Sequence, residues 1–153
     1  MRRSTAKSRM GVEIVNRQRR VRIDKPRIAA LAAKTLDMEN AAGDVSIACV
    51  GRRTIIELNK RFFGKETDTD VIAFPLRDDS AEGGAYIGEV VVCGDVAADE
   101  AEARGLDPQD ELFLYTVHGL LHLLGYTDGT PSSRTKMNRR ARAILKHFKS
   151  KPR

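Results

Sequence analysis

His118 and His122 stand four residues apart in the stretch Thr116-Val117-His118-Gly119-Leu120-Leu121-His122-Leu123-Leu124-Gly125-Tyr126-Thr127-Asp128. On a helix, residues i and i+4 share a face, so both imidazoles can point at one spot. Asp128 follows His122 by six residues, just past Gly125, where the helix is expected to stop. Two stacked imidazoles and a carboxylate from the next turn make a three-donor metal site with open positions, the arrangement that catalytic zinc sites use. The plainer alternative is core filler, each ring N–H bonded to a backbone carbonyl. Burying two imidazoles among leucines is costly unless their polar atoms are satisfied, and one shared cation satisfies both. His147, the third histidine, lies near Lys146 and Lys149 on a basic stretch that repels a cation.

A helix must carry this pair. Leu112 to Tyr126 is an uncharged run, too short to span a bilayer, which takes about 18 or more apolar residues. It suits a fully buried central helix. Asp107-Pro108-Gln109-Asp110 opens that helix with an Asp cap, a proline and acid in the first turn. Upstream, Val12–Val15 reads as a strand, with the partly alternating Arg17 to Ile23 as its extension. Lys25-Pro26 starts a helix, and Gly43 is its expected stop. Val45–Val50 alternates as a second strand. Arg53–Phe63 reads as a helix with Ile55, Ile56, Leu58 and Phe62 on one side. Asp70–Phe74 is a third strand ended by Pro75, Asp78–Ala85 a mobile loop, and Tyr86–Cys93 a fourth strand. Val96–Arg104 is a helix stopped by Gly105. A last helix runs from Thr130-Pro131 to about Lys149, with Met137, Ala141, Ile144, Leu145 and Phe148 inward. This order predicts one α+β domain over residues 11–149: a mixed four-stranded sheet packed with about five helices around the central histidine helix. Residues 1–10 are expected to be a disordered basic segment, and 150–153 a basic tail.

Charge is unevenly spread. The 153-residue chain has a net charge of +6. Residues 1–27 hold ten Lys/Arg and two acids, residues 134–153 hold nine Lys/Arg and no acid, and the stretch between holds eight basic and nineteen acidic residues. An acidic body with two basic ends suits a polyanionic partner that the ends hold; basic ends that only aid solubility are the alternative. No apolar run follows Met1-Arg2-Arg3, so no signal peptide or membrane partner is expected and the protein reads as cytoplasmic. Cys49 and Cys93 fall in strand-like runs without CxxC spacing and read as buried free thiols.

Three stretches together resemble a known family. His118 to Tyr126, His-Gly-Leu-Leu-His-Leu-Leu-Gly-Tyr, is similar to the signature of the YbeY family of endoribonucleases and rRNA maturation factors. Leu58-Asn59, Gly64-Lys65 and Thr69-Asp70-Val71-Ile72-Ala73-Phe74-Pro75 resemble its LN…GK…TDVLSFP segment, and Gly88 to Cys93 its GDIVIC strand. The likeness covers roughly residues 12 to 148. It implies a metal-dependent, single-strand-specific endoribonuclease holding one divalent ion, zinc, in a zincin-like fold. It implies action on ribosomal RNA of the small subunit, at the 3′ end of 16S rRNA, and in ribosome quality control. No small-molecule cofactor is implied.

The resemblance places His118, His122 and Asp128 as metal ligands. Beside that, Lys65 is read as a catalytic-site cation that holds the RNA backbone, or as part of a solvated loop, and Asp70, with Thr69, as lining the cleft or as only ending a strand and bonding to the loop. Two positions depart from the family pattern. Asp128 stands where the family usually has a third histidine, giving a site less positive by one charge that favours harder metals such as manganese. Phe63 stands where many members have an arginine, a natural phosphate clamp whose charge phenylalanine cannot replace. Gly119 occupies the place of the glutamate in HExxH zinc proteases, which argues against peptide hydrolysis. A non-catalytic RNA-binding assembly factor with a structural metal is the alternative function.

Overall fold

The computed structural model describes residues 11–78 and 85–150. The basic segment 1–10, residues 79–84 of the acidic loop and the tail beyond Ser150 lie outside them. Four strands, β1 (Val12–Arg17), β2 (Asp44–Val50), β3 (Val71–Asp78) and β4 (Tyr86–Cys93), form one sheet in the order β1-β2-β4-β3. β1, β2 and β4 run parallel, and β3 is an antiparallel edge strand on β4. Five helices complete the α+β fold: α1 (Lys25–Met38), α2 (Arg52–Phe63), α3 (Gly94–Arg104), α4 (Pro108–Leu123) and α5 (Pro131–Ser150).

Side-chain alternation along the strands divides the core in two. Val45, Ile47, Cys49, Val90 and Val92 face a large cluster with Leu31 and Leu36 of α1, Leu112, Leu120 and Leu121 of α4, and Met137 and Ile144 of α5. Val50, Ile72, Val91 and Cys93 face a small one, closed by Ile55 of α2. The two cysteines therefore lie on opposite faces, buried and free. Burial pushes both thiols up, Cys49 to about 12, which leaves them protonated and unreactive at neutral pH.

Helix starts follow the local chemistry. Asp24 accepts from Arg27 N at 3.1 Å, and Asp107 from Gln109 N at 2.9 Å, each with a proline in the first turn. α2 has no side-chain cap of its own; Asp95 of α3 accepts from Arg52 N at 2.7 Å instead.

Four expectations need correction. β1 stops at Arg17 because Gln18 accepts from Val21 N and donates to Val21 O, at 3.0 and 2.8 Å, folding the chain into a turn that buries Val21. α1 ends at Met38 and Asn40 takes the positive φ of 55°, ahead of Gly43. Pro75 does not end β3; it pairs with Gly88 inside the ladder, as an edge strand allows. Phe62 does not share the burial of Ile55 but is 54% exposed, and Asn59 takes the buried place beside Ile55.

Candidate metal centre

α4 packs against α1, α3, α5, β3 and β4. Its closest approach to the sheet is at Gly119. A Cβ there would lie 2.4 Å from Val90 Cγ1 and 3.0 Å from Val71 Cγ2, closer than side chains tolerate. The residue after the first histidine thus faces the sheet wall. A glutamate at this position, the base of an HExxH protease, has no room.

The turn after α4 is tied on three sides. Tyr126 N donates to Leu121 O at 3.0 Å. The Tyr126 hydroxyl donates to Glu39 Oε1 at 3.0 Å, and Glu39 in turn pairs with Arg140 of α5. Gly125 takes a φ of 106° between them. This path returns the chain so that Tyr126 O lies 3.1 Å from His122 Nδ1. A carbonyl only accepts, so Nδ1 carries a proton, and in the neutral ring Nε2 keeps its lone pair. Asp128 Oδ2 lies 3.6 Å from that Nε2. Two acceptors facing each other at this distance repel unless a cation or a proton lies between them. Two donors tetrahedrally bound at about 2.0–2.2 Å from one zinc ion are themselves roughly 3.5 Å apart.

His118 lies one turn back. Its Nε2 is buried with no hydrogen-bond partner. Burial is the largest cause holding its pKa below the ordinary 6.5; Asp70 opposes this, His122 adds to it, and Asn138 and Asp128 oppose it more weakly. The ring is therefore neutral at neutral pH, the form that ligates metals. A buried imidazole nitrogen without a partner is costly as it stands, and a shared cation is the group it fits. Among the described residues, no group of three or more His, Cys, Asp or Glu side chains stands close enough to hold a metal ion as placed. His122 and Asp128 approach each other at 3.6 Å, and His118 would have to join them to complete the set.

Asp70 precedes β3, where its backbone carbonyl accepts from Cys93 N at 2.9 Å and Thr69 Oγ1 donates to its Oδ1 at 3.3 Å. Its charge reaches His118 and also Tyr115. Buried Tyr115 is held as the phenol by burial and by Glu111, whose carboxylate pairs with Arg104 at 3.1 Å. His118, His122, Asp128 and Asp70 are thus one neighbourhood. Lys65 follows Gly64 at the C-terminus of α2, the helix whose Ile55 closes the small cluster on the other face of the sheet. Asn138, projecting from α5, is a site neighbour that sequence reasoning missed; a lone asparagine in a helix gives no signal.

A family model described as Endoribonuclease YbeY matches residues 13–149. The chain is 34% identical over 147 residues to an Endoribonuclease YbeY of Beutenbergia cavernae, covering 91% of this chain and 97% of that one. It is 39% identical over 117 residues to the same-named protein of Carboxydothermus hydrogenoformans, covering 74% and 80%. The solution structure of a Thermotoga maritima protein superposes with a TM-score of 0.60 at 23% identity, covering 92% and 93%, and so shares the fold.

Proposed function

The chain belongs to the YbeY endoribonuclease family, and from that premise we propose that it is a metal-dependent, single-strand-specific endoribonuclease acting on ribosomal RNA of the small subunit. The observation that carries the metal is the pair of histidine nitrogens left short of a cation: His118 Nε2, buried and unpartnered, and His122 Nε2, facing Asp128 at 3.6 Å.

His118, His122 and Asp128 hold one divalent ion, zinc in this reading. When bound it supplies Lewis-acid polarisation of a phosphoryl oxygen. The chain's own groups do the rest. The Tyr126 carbonyl fixes the His122 tautomer through Nδ1. Thr69 occupies one oxygen of Asp70, leaving Oδ2 to accept the proton of an attacking water beside His118. Lys65 and the basic ends hold the phosphate backbone away from the reacting bond.

The test is cleavage of a labelled unpaired RNA and its duplex by metal-stripped and zinc-reloaded protein. We expect cleavage of the unpaired strand only, and only after reloading. The second reading is a non-catalytic assembly factor whose metal stiffens the turn at Asp128; Phe63 and Asp128, standing where the family usually has an arginine and a third histidine, favour it. A large rise in melting temperature on reloading, without cleavage, would establish it in place of the nuclease.

A further inference from the structure

Among the described residues, three of the four large exposed apolar side chains, Phe62, Phe63 and Leu76, belong to α2 and β3, which meet at Phe74. Phe74 packs edge-on against Phe62, with centroids 5.1 Å apart, and lies stacked with Phe63 at 6.3 Å. Phe74 is half-buried on the small core cluster, so it braces the two outer rings. More than half of the surface of each outer ring faces solvent. Grouped apolar exposure of this kind marks a binding surface.

Cations flank the rings on either side along the chain, Arg61 before Phe62 and Lys65 after Phe63. The Arg61 guanidinium lies 5.9 Å from the Phe62 ring centroid. Lys65 follows Gly64, whose left-handed φ of 70° turns the chain sharply at the helix end. Lys60 is paired with Glu66 at 3.3 Å on the exposed side. Buried Asn59 donates to Thr67 O at 3.0 Å and holds this loop in place. Exposed rings among cations match an unpaired nucleic acid, whose bases offer π faces and whose phosphates offer charge. A patch for a protein partner needs no such cations.

The rings also lie along the strand that leads to the metal centre. Asp70 and Phe74 are four residues, about 13 Å, apart along β3. A Cβ at Gly88 would meet Phe74 O at 2.4 Å and Leu123 Cδ2 at 2.9 Å, so β3 and the residue after His122 converge there.

We propose that Phe62 and Phe63, braced by Phe74, form a stacking platform for unpaired bases of the RNA, with Arg61 and Lys65 at its phosphates. This rests on the RNA reading above. It assigns Phe63 a job different from the arginine it replaces: the ring holds a base where a guanidinium would hold a phosphate.

The chain has no tryptophan, so Phe63→Trp places a single indole reporter on the platform. Two probes separate base from phosphate: a 2′-O-methylated oligoadenylate, and an abasic strand of equal length. We expect the oligoadenylate to quench the indole and the abasic strand to leave it unchanged. Phe63→Ala and Phe63→Leu should each weaken oligoadenylate binding about tenfold, with the salt dependence unchanged, because stacking releases no counterions. Lys65→Ala should lower the salt dependence instead. Absence of quenching, or equal affinity of wild type and Phe63→Ala for the oligoadenylate, would overturn the platform and assign the rings to a protein partner, while the RNA reading stands. Failure of the wild type to bind either strand would overturn both.

Discussion

On one face of the sheet, α4 lies so close that Gly119 has no room for a methyl group. On the other, α2 ends in two phenylalanines more than half exposed. The first face buries polar atoms, His118 Nε2 and the Tyr115–Glu111 pair, inside the larger core. The second exposes apolar rings over a core of five buried residues. Burial and exposure are thus both inverted relative to ordinary preference. Ligating nitrogens need a dry, neutral setting, whereas a stacking surface must stay open to its ligand. The edge strand β3 joins the two, with Asp70 near the histidines and Phe74 among the rings.

The largest difference between the faces should appear in catalysis. His122→Ala removes a proposed metal ligand and should cut RNA cleavage by more than about a hundredfold, while Phe63→Ala should cost no more than about tenfold. Initial-rate assays on one unpaired substrate compare them directly. Comparable losses would place the rings in the chemistry and erase the distinction.

Stability should separate them next. In an exposed helix interior, replacing glycine by a larger residue usually gains up to about 1 kcal/mol. At Gly119 the clash with Val90 and Val71 wins, and Gly119→Val should cost about 3 kcal/mol in urea unfolding. On the other face, Asn59→Ala leaves the Thr67 carbonyl without its amide donor and should cost about 1–2 kcal/mol. A Gly119→Val variant as stable as wild type would mean that α4 can lift off the sheet.

A smaller effect concerns the metal. Asp128→His restores one positive increment to the site and should raise preference for zinc over manganese by about tenfold in competition titrations. Equal preference would show that Asp128 does not ligate.

The smallest effect lies at the ion pairs linking α2 to α3. Asp99 bonds to Arg52 and to Arg20, which hold its carboxyl below the usual 3.8. A depressed folded pKa stabilises above the unfolded value, and the gain is lost as pH falls through the folded one. Asp99→Asn should therefore melt slightly below wild type at pH 7, and the gap should close in acid as the pH falls through the lowered folded value. A gap that persists in acid would mean that packing, not charge, holds this corner.

Local chemistry made much of this legible in the residues. The proline starts of α1 and α4, the Gly105 stop and the strand alternation all act within a few residues. The histidine pair was legible for the same reason, since helical spacing alone puts both rings on one face. Pro75 misled because the rule that proline ends a strand fails at a sheet edge, and edge position is not local. Phe62 misled because helical spacing says which side a residue lies on, not whether a neighbour covers that side.

The sequence by itself determined the elements, the shared face of His118 and His122, and the glycine that keeps a protease base out. These follow from backbone geometry and side-chain type over one or two turns. Only the tertiary structure decided that Asp128 returns to His122 and that Asp70 and Asn138 from distant segments border His118. Those placements depend on which sheet face each helix covers, and that is settled by packing among residues far apart in the chain.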